Sequence, residues 1–219
     1  MPDSLFHLLR LSSASLPVGG FSWSLGLESA VEQGWVRDRT SLEAWLEDIL
    51  AHGMATLDLP VLIRCQQACA HADMTRVQAL DQWLMAWRET AELAAADLEM
   101  GANLLRLLQA LAPGMMRPEQ PLGWVSAWGL AANHWRVALP DSLRGFLWSW
   151  VENQLVAASK CMPFGQTDIQ RSLIALNGPM SIAIEQAMVI EDEEMGTGLP
   201  GLAWLSAAHE TQYSRLFRS

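Results

Sequence analysis

Lysine is almost missing from this chain. Only Lys160 stands among its 14 basic residues, against 24 acidic ones, for a net charge of −10. Nucleic-acid binding needs a basic patch or stripe, so that class is excluded. Cysteine is scarce as well. Cys65, Cys69 and Cys161 are an odd number in 219 residues, which points to a reduced, cytoplasmic setting and not to a disulfide framework. No apolar run reaches the roughly 18 residues of a spanning helix, so no contact with the membrane interior is expected. The opening, MPDSLFHLLRLSS, has an early acid and no basic leader, so a secretory signal is not expected.

Reaction chemistry is missing too. There is no G-x-x-x-x-G-K-[ST] loop to cradle phosphates. Gly19, Gly20 and Gly26 follow no strand and match no dinucleotide fingerprint. HETQY, residues 209–213, opens like a zincin helix, but Tyr213 stands where the second histidine ligand belongs. No Ser/His/Asp set has informative spacing. Cys65 and Cys69, four apart with His71 near, offer either two soft metal ligands or two small buried side chains on an Ala-rich helix.

What is present is apolar and helical. Hydrophobic residues make up 51% of the chain and charged ones 17%, enough for one large domain with a real core. Eleven tryptophans serve mostly that core, and the remainder suit a partner surface. TSLEAWLEDIL reads as a helix opened by a Thr40/Glu43 capping box, with Leu42, Trp45, Leu46 and Ile49 on one face. Pro60 should kink or restart the next helix. Asp73 is placed to cap MTRVQALDQWLMAWRE, residues 74–89. A long helix runs through AELAAADLEMGANLLRLLQAL and stops before Pro113-Gly114. Two further helices each have proline near the start, and residues 167–190 form one helix or two joined at Asn177-Gly178-Pro179. No alternating strand is seen. The fold class is all-α, a single-domain bundle of roughly eight to ten helices with a flexible C-terminal tail. It divides into a helical body over 1–190, an acidic and Gly/Pro-rich connector over 191–201 read as solvated, and a docking segment over 202–219.

Three segments stand out. LPVGGFSWSLGLESAVEQGWV, residues 16–36, starts as a glycine-bracketed aromatic loop and turns helical. Leu25 and Leu27 suit the core, whereas Phe21, Ser22 and Glu28 suit an interface. SKCMPFGQTDIQR, residues 159–171, places the one lysine before Pro163 and Gly165 and presents Gln166, Gln170 and Arg171. Lys160 either caps its own helix end or contacts a partner. The tail alternates Tyr213, Leu216 and Phe217 with Arg215 and Arg218, which suits docking onto the body or onto a partner.

These segments, together with WRETAELAAADLEMG in the middle, resemble the urease accessory protein UreF family in order, spacing and chain length. Departures are Phe21 and Trp23 where tyrosine is frequent, Phe164 for leucine, and Ala91 for a basic residue. The resemblance implies an all-α, non-catalytic scaffold that dimerises and joins an accessory partner called UreD or UreH. Together these recruit or regulate the GTPase UreG, and nickel reaches urease apoprotein through the assembled complex, with no stable cofactor or metal on the scaffold itself. The partner-interface residues expected from the three segments are Phe21, Ser22, Glu28, Lys160, Gln166, Gln170, Arg171, Tyr213, Arg215, Leu216, Phe217 and Arg218. Two other readings stay open: a metal-binding protein using Cys65 and Cys69, and a helical enzyme with a site dispersed over Glu28, Arg88 and His209.

With no phosphate-cradling loop, the purified chain alone is expected to show no GTP turnover. Phosphate release that survives repurification of the chain would contradict this.

Overall fold

The computed structural model describes residues 3–218. Among them are eleven α-helices and no strand: α1 Asp3–Leu11, α2 Leu27–Glu32, α3 Arg39–Ile49, α4 Leu59–Ala70, α5 Met74–Ala86, α6 Ala91–Leu111, α7 Trp124–His134, α8 Leu139–Cys161, α9 Gln166–Ala175, α10 Asn177–Val189 and α11 Pro200–Glu210. A π-helical stretch, Leu50–Asp58, joins α3 to α4 without a break, so the chain builds ten separate rods, the upper end of the expected number.

The core is built around α7. Every residue from Trp124 to Ala132 is buried, and α4, α5, α6 and α8 pack around it. Small residues make this possible. Gly129 lies against Leu62 and Cys65, where even a Cβ would sit 3.3 Å from either side chain. Gly101 of α6 is tighter still: a Cβ there would meet the Leu122 carbonyl oxygen at 2.1 Å. Trp124, Trp128 and Phe146 fill the space beside α7, with Trp128 edge-on to Phe146 at 5.4 Å.

Two expectations about helix boundaries need correction. The first turn of α3 is capped by Asp38 and not by Thr40. Its carboxylate accepts from the Ser41 backbone N–H at 2.9 Å, and the Ser41 hydroxyl answers the Asp38 N–H. Thr40 loses because Asp38 is the residue with extended backbone, and an N-cap needs that geometry. Pro60 neither kinks nor restarts the rod. The turns before it widen to the π form, with the Leu59 N–H reaching back to the Met54 carbonyl. Proline then takes the second position of α4, where a missing N–H is tolerated. The Thr56 carbonyl accepts instead from the Gly196 N–H at 2.9 Å.

That last bond shows that the connector is not a free linker. Asp192 pairs with Arg64 at 2.5 Å and Arg76 at 3.4 Å. Met195 is buried, Gly196 lies against the Trp87 ring, and the Leu199 N–H donates to Glu89 at 3.3 Å. The connector is laid across the body because its backbone donors find acceptors there.

Replacing Gly101 by alanine should drive α6 and α7 apart. The expected loss is about 3 kcal/mol, a fall in Tm of roughly 6–12 °C for a chain of this size, read by thermal unfolding.

Candidate functional site

The opening loop is held rigidly before it reaches α2. Gly19 at φ 81° and Gly26 at φ 84° take left-handed backbone that favours glycine, and Leu25 takes it at φ 54° without being glycine. Asn103 donates to the Val18 carbonyl at 3.0 Å and Asn153 to that of Trp23 at 3.4 Å, tying the loop to α6 and α8. Trp23 is buried, while Phe21 is 66% exposed. Glu28 follows in the first turn of α2, where its own N–H donates to Ser24 at 3.3 Å. Its side chain is only 6% exposed.

That buried carboxylate receives the C-terminal tail. One oxygen accepts the Leu216 N–H at 2.7 Å, and the other accepts the Phe217 N–H at 3.0 Å. Gln212 adds a weaker bond at 3.4 Å. His209, fully buried on α11, lies 3.1 Å from Glu28 through Nε2 and 2.8 Å from Glu92 through Nδ1. Both ring nitrogens therefore face carboxylate oxygens. Glu92 also pairs with Arg215 at 3.0 Å, and Glu99, seven residues further along α6, with Arg218 at 2.5 Å. The Arg218 N–H donates to the Ser22 carbonyl at 2.9 Å, and its guanidinium covers the Trp23 ring at 4.5 Å. Lys160 places its ammonium 5.2 Å from the centre of the Phe217 ring.

The expected flexible tail is thus a seated one, because its backbone donors meet a desolvated carboxylate and Phe217 enters the core at 6% exposure. Glu28 and Phe217, expected to face a partner, face each other's segments instead. Ser22 contributes its carbonyl, and Arg215 and Arg218 have exposed heads already paired. What remains outward is Phe21, Tyr213, which is fully exposed, and Leu216 at 68%. Gln166, Gln170 and Arg171 face solvent on α9, which packs on α3, α8 and α10, and take no part in seating the tail. Ser219 lies outside the described residues. Sequence reasoning missed Glu92 and Glu99. Their seven-residue spacing sets them on one face of α6, but nothing in the sequence says that two arginines about 120 residues away will lie along it.

The dispersed enzyme site does not assemble. Glu28 and His209 meet, whereas Arg88 is held elsewhere, by Asp58 at 2.5 Å and Asp97 at 3.1 Å. Burial alone would lower the Arg88 pKa, but the two carboxylates more than reverse this and raise it. Asp97 and Asp81 also accept the Trp124 and Gly123 N–H groups at 2.8 and 2.9 Å, capping the N-terminus of α7. The cysteine pair is structural. Cys65 rests against Ser126, and burial pushes its thiol up to about 12 and that of Cys69 to about 11. Among the described residues no group of three or more His, Cys, Asp or Glu is arranged to hold a metal ion, and no helix is long and apolar enough to cross a membrane.

Fold and site together define a single helical domain in which the opening loop, Lys160 and the C-terminal tail meet around the buried Glu28 carboxylate. The sequence model of the UreF family matches residues 36–177, well over half of the chain. The urease accessory protein UreF of Chromohalobacter salexigens is 45% identical over 100% of this chain and 96% of its own length. Those of Psychrobacter cryohalolentis (44%, over 99% and 94%) and Teredinibacter turnerae (42%, over 100% of both) are similarly close. The chain belongs to the UreF family of urease accessory proteins, which are named as accessory proteins and not as enzymes.

Asp81 carries the clearest pH signature. Burial raises its carboxyl pKa above the ordinary 3.8, and the nearby Asp97 charge adds to the rise. A carboxyl raised on folding contributes stability at low pH that is lost as pH climbs through the folded value. Asp81→Asn keeps an acceptor for Gly123 and removes the buried charge. It should raise Tm by about 2–4 °C near pH 7, and the gain should vanish as the pH is brought down to about 3.8. Asp97→Asn, which breaks the Arg88 pair, should instead cost about 3–5 kcal/mol at neutral pH.

Proposed function

We propose that this protein is a non-catalytic scaffold in urease maturation. In this reading it acts in the cytoplasm, pairs with a second copy, and binds a UreD/UreH-like accessory protein. The assembly recruits or regulates the GTPase UreG while nickel is inserted into urease apoprotein. The nickel is cargo of the assembled complex and has no resident site on this chain.

One observation carries the reading. The opening loop, Lys160 and the tail lie far apart in sequence, yet they meet at one place through Glu28, Phe217 and Arg218. The buried anchors leave Phe21, Tyr213 and Leu216 outward. An apolar rim around a rigid, charged seat is the form of a protein-docking surface. A second exposed apolar stripe, Ile174 on α9 with Ile182 and Val189 on α10, supports pairing of two copies.

The seat and the rim separate in a single set of variants. Tyr213→Ser with Leu216→Ser alters only outward side chains, so Tm should stay within about 2 °C. Capture of the UreD/UreH-like partner should fall about a hundredfold, since two apolar side chains buried at an interface contribute roughly 1.5–3 kcal/mol each. Phe217→Ala should lower Tm as a core truncation does, by roughly 3 kcal/mol. Undiminished co-purification of the double variant with the partner would refute the docking surface.

A further inference from the structure

A cavity of about 110 Å³ lies beneath the connector, between α6, α8 and the π-helical stretch. Its walls are mostly apolar, with Met54, Ala96, Met100, Trp124, Phe146 and Trp150 among them. Asp58, Arg88, Glu89 and Asp97 also line it, and each already has a partner. Arg88 is paired with Asp58 and Asp97, and Glu89 accepts the Leu199 N–H. An anion entering this space would lose its hydration and find no free cation, since the one arginine is already paired with two carboxylates. A neutral apolar molecule loses nothing comparable. An apolar cavity of roughly 150 Å³ stays dry and takes up benzene, and this one is only slightly smaller, with four aromatic side chains in its wall.

The roof is the other half of the observation. It consists of Thr197 and Leu199 of the connector and Leu202 of α11, with Leu25 of the opening loop beside them. Over the cavity itself the connector is held by the Gly196 bond to Thr56 and the Leu199 bond to Glu89, while Asp192 anchors its start to Arg64 and Arg76. Leu202 also packs on Gly26, where a Cβ would stand 2.7 Å from its Cδ1. The helix that starts in this roof carries His209 in its last turn, and His209 contacts Glu28, which receives the tail. Met100, Trp124, Trp150 and Leu25 line a second cavity of about 160 Å³ on the loop side as well. The flexible Met100 side chain thus borders both spaces.

We propose that the cavity under the connector is a binding site for a neutral, single-ring aromatic molecule, and that its occupation steadies the roof from which α11 and the tail are hung. This goes beyond the scaffold reading and does not rest on it, because no partner protein enters the test.

The test uses the full chain with benzene as the probe and benzoate, its charged counterpart, as the control. Benzene should shift the methyl resonances of Met54 and Met100 saturably and raise Tm by about 2–4 °C. It should slow amide exchange at Leu216 and Phe217 severalfold. Benzoate should do none of this. Ala96→Leu fills the space and should abolish the benzene shifts, with Ala96→Val as the milder variant where the larger side chain disrupts folding. Absence of a saturable shift in the wild-type chain, equal shifts with benzoate, or shifts that persist in a folded Ala96 variant would overturn the site. Saturable binding with unchanged exchange at Leu216 and Phe217 would overturn its coupling to the tail.

Discussion

The Arg88 guanidinium sets the frame on which everything else hangs. It sits at the end of α5 and pairs at once with Asp58, where the π-helical stretch passes into α4, and with Asp97 on α6. Asp97 in turn caps α7. One cation thereby fixes the relative positions of four helical rods around the most buried helix of the chain. The arrangement is costly, because three carboxylates and one arginine share a desolvated space. The α7 N-terminus offsets part of that cost, since its free N–H groups and positive dipole end meet two of the acids.

Once α6 is fixed, Glu92 and Glu99 are fixed as a pair of docking points for the tail arginines. These exposed pairs contribute little energy on their own. Direction comes from them and strength from Glu28, whose buried carboxylate accepts two consecutive backbone N–H groups. Because backbone donors are independent of side-chain identity, the tail is held by its main chain while Tyr213 and Leu216 stay free of structural duty. Seating and recognition are thus assigned to different atoms of the same short segment.

The sequence disclosed the helices well wherever period and punctuation agreed. Asp73 does cap α5, and the break at Asn177-Gly178-Pro179 does begin a new helix. It failed at the π-helical stretch, because widening by one residue per turn leaves no mark on an apolar pattern that is buried nearly all round. It also failed at the connector. Acidic and glycine-rich composition reads as solvated, but Asp192 has Arg64 and Arg76 to meet, and those lie about 120 residues earlier. The site was half legible. Glu28, Lys160, Phe217 and Arg218 were singled out by their unusual setting. Their mutual contacts were not, since a buried carboxylate and a surface one are the same letter until the fold decides.

Lys160 is the one lysine in the chain, and its ammonium lies over the ring of Phe217. Apart from the α-amino group, an amine-reactive reagent has a single target in this protein, and that target touches the seated tail. Acylating it erases the cation and leaves the ring in place, so one chemical step, with no change of sequence, separates the charge at this position from the packing beneath it. A dye attached there would ride on the seat of the tail and report, by its own mobility, whether the tail is in place.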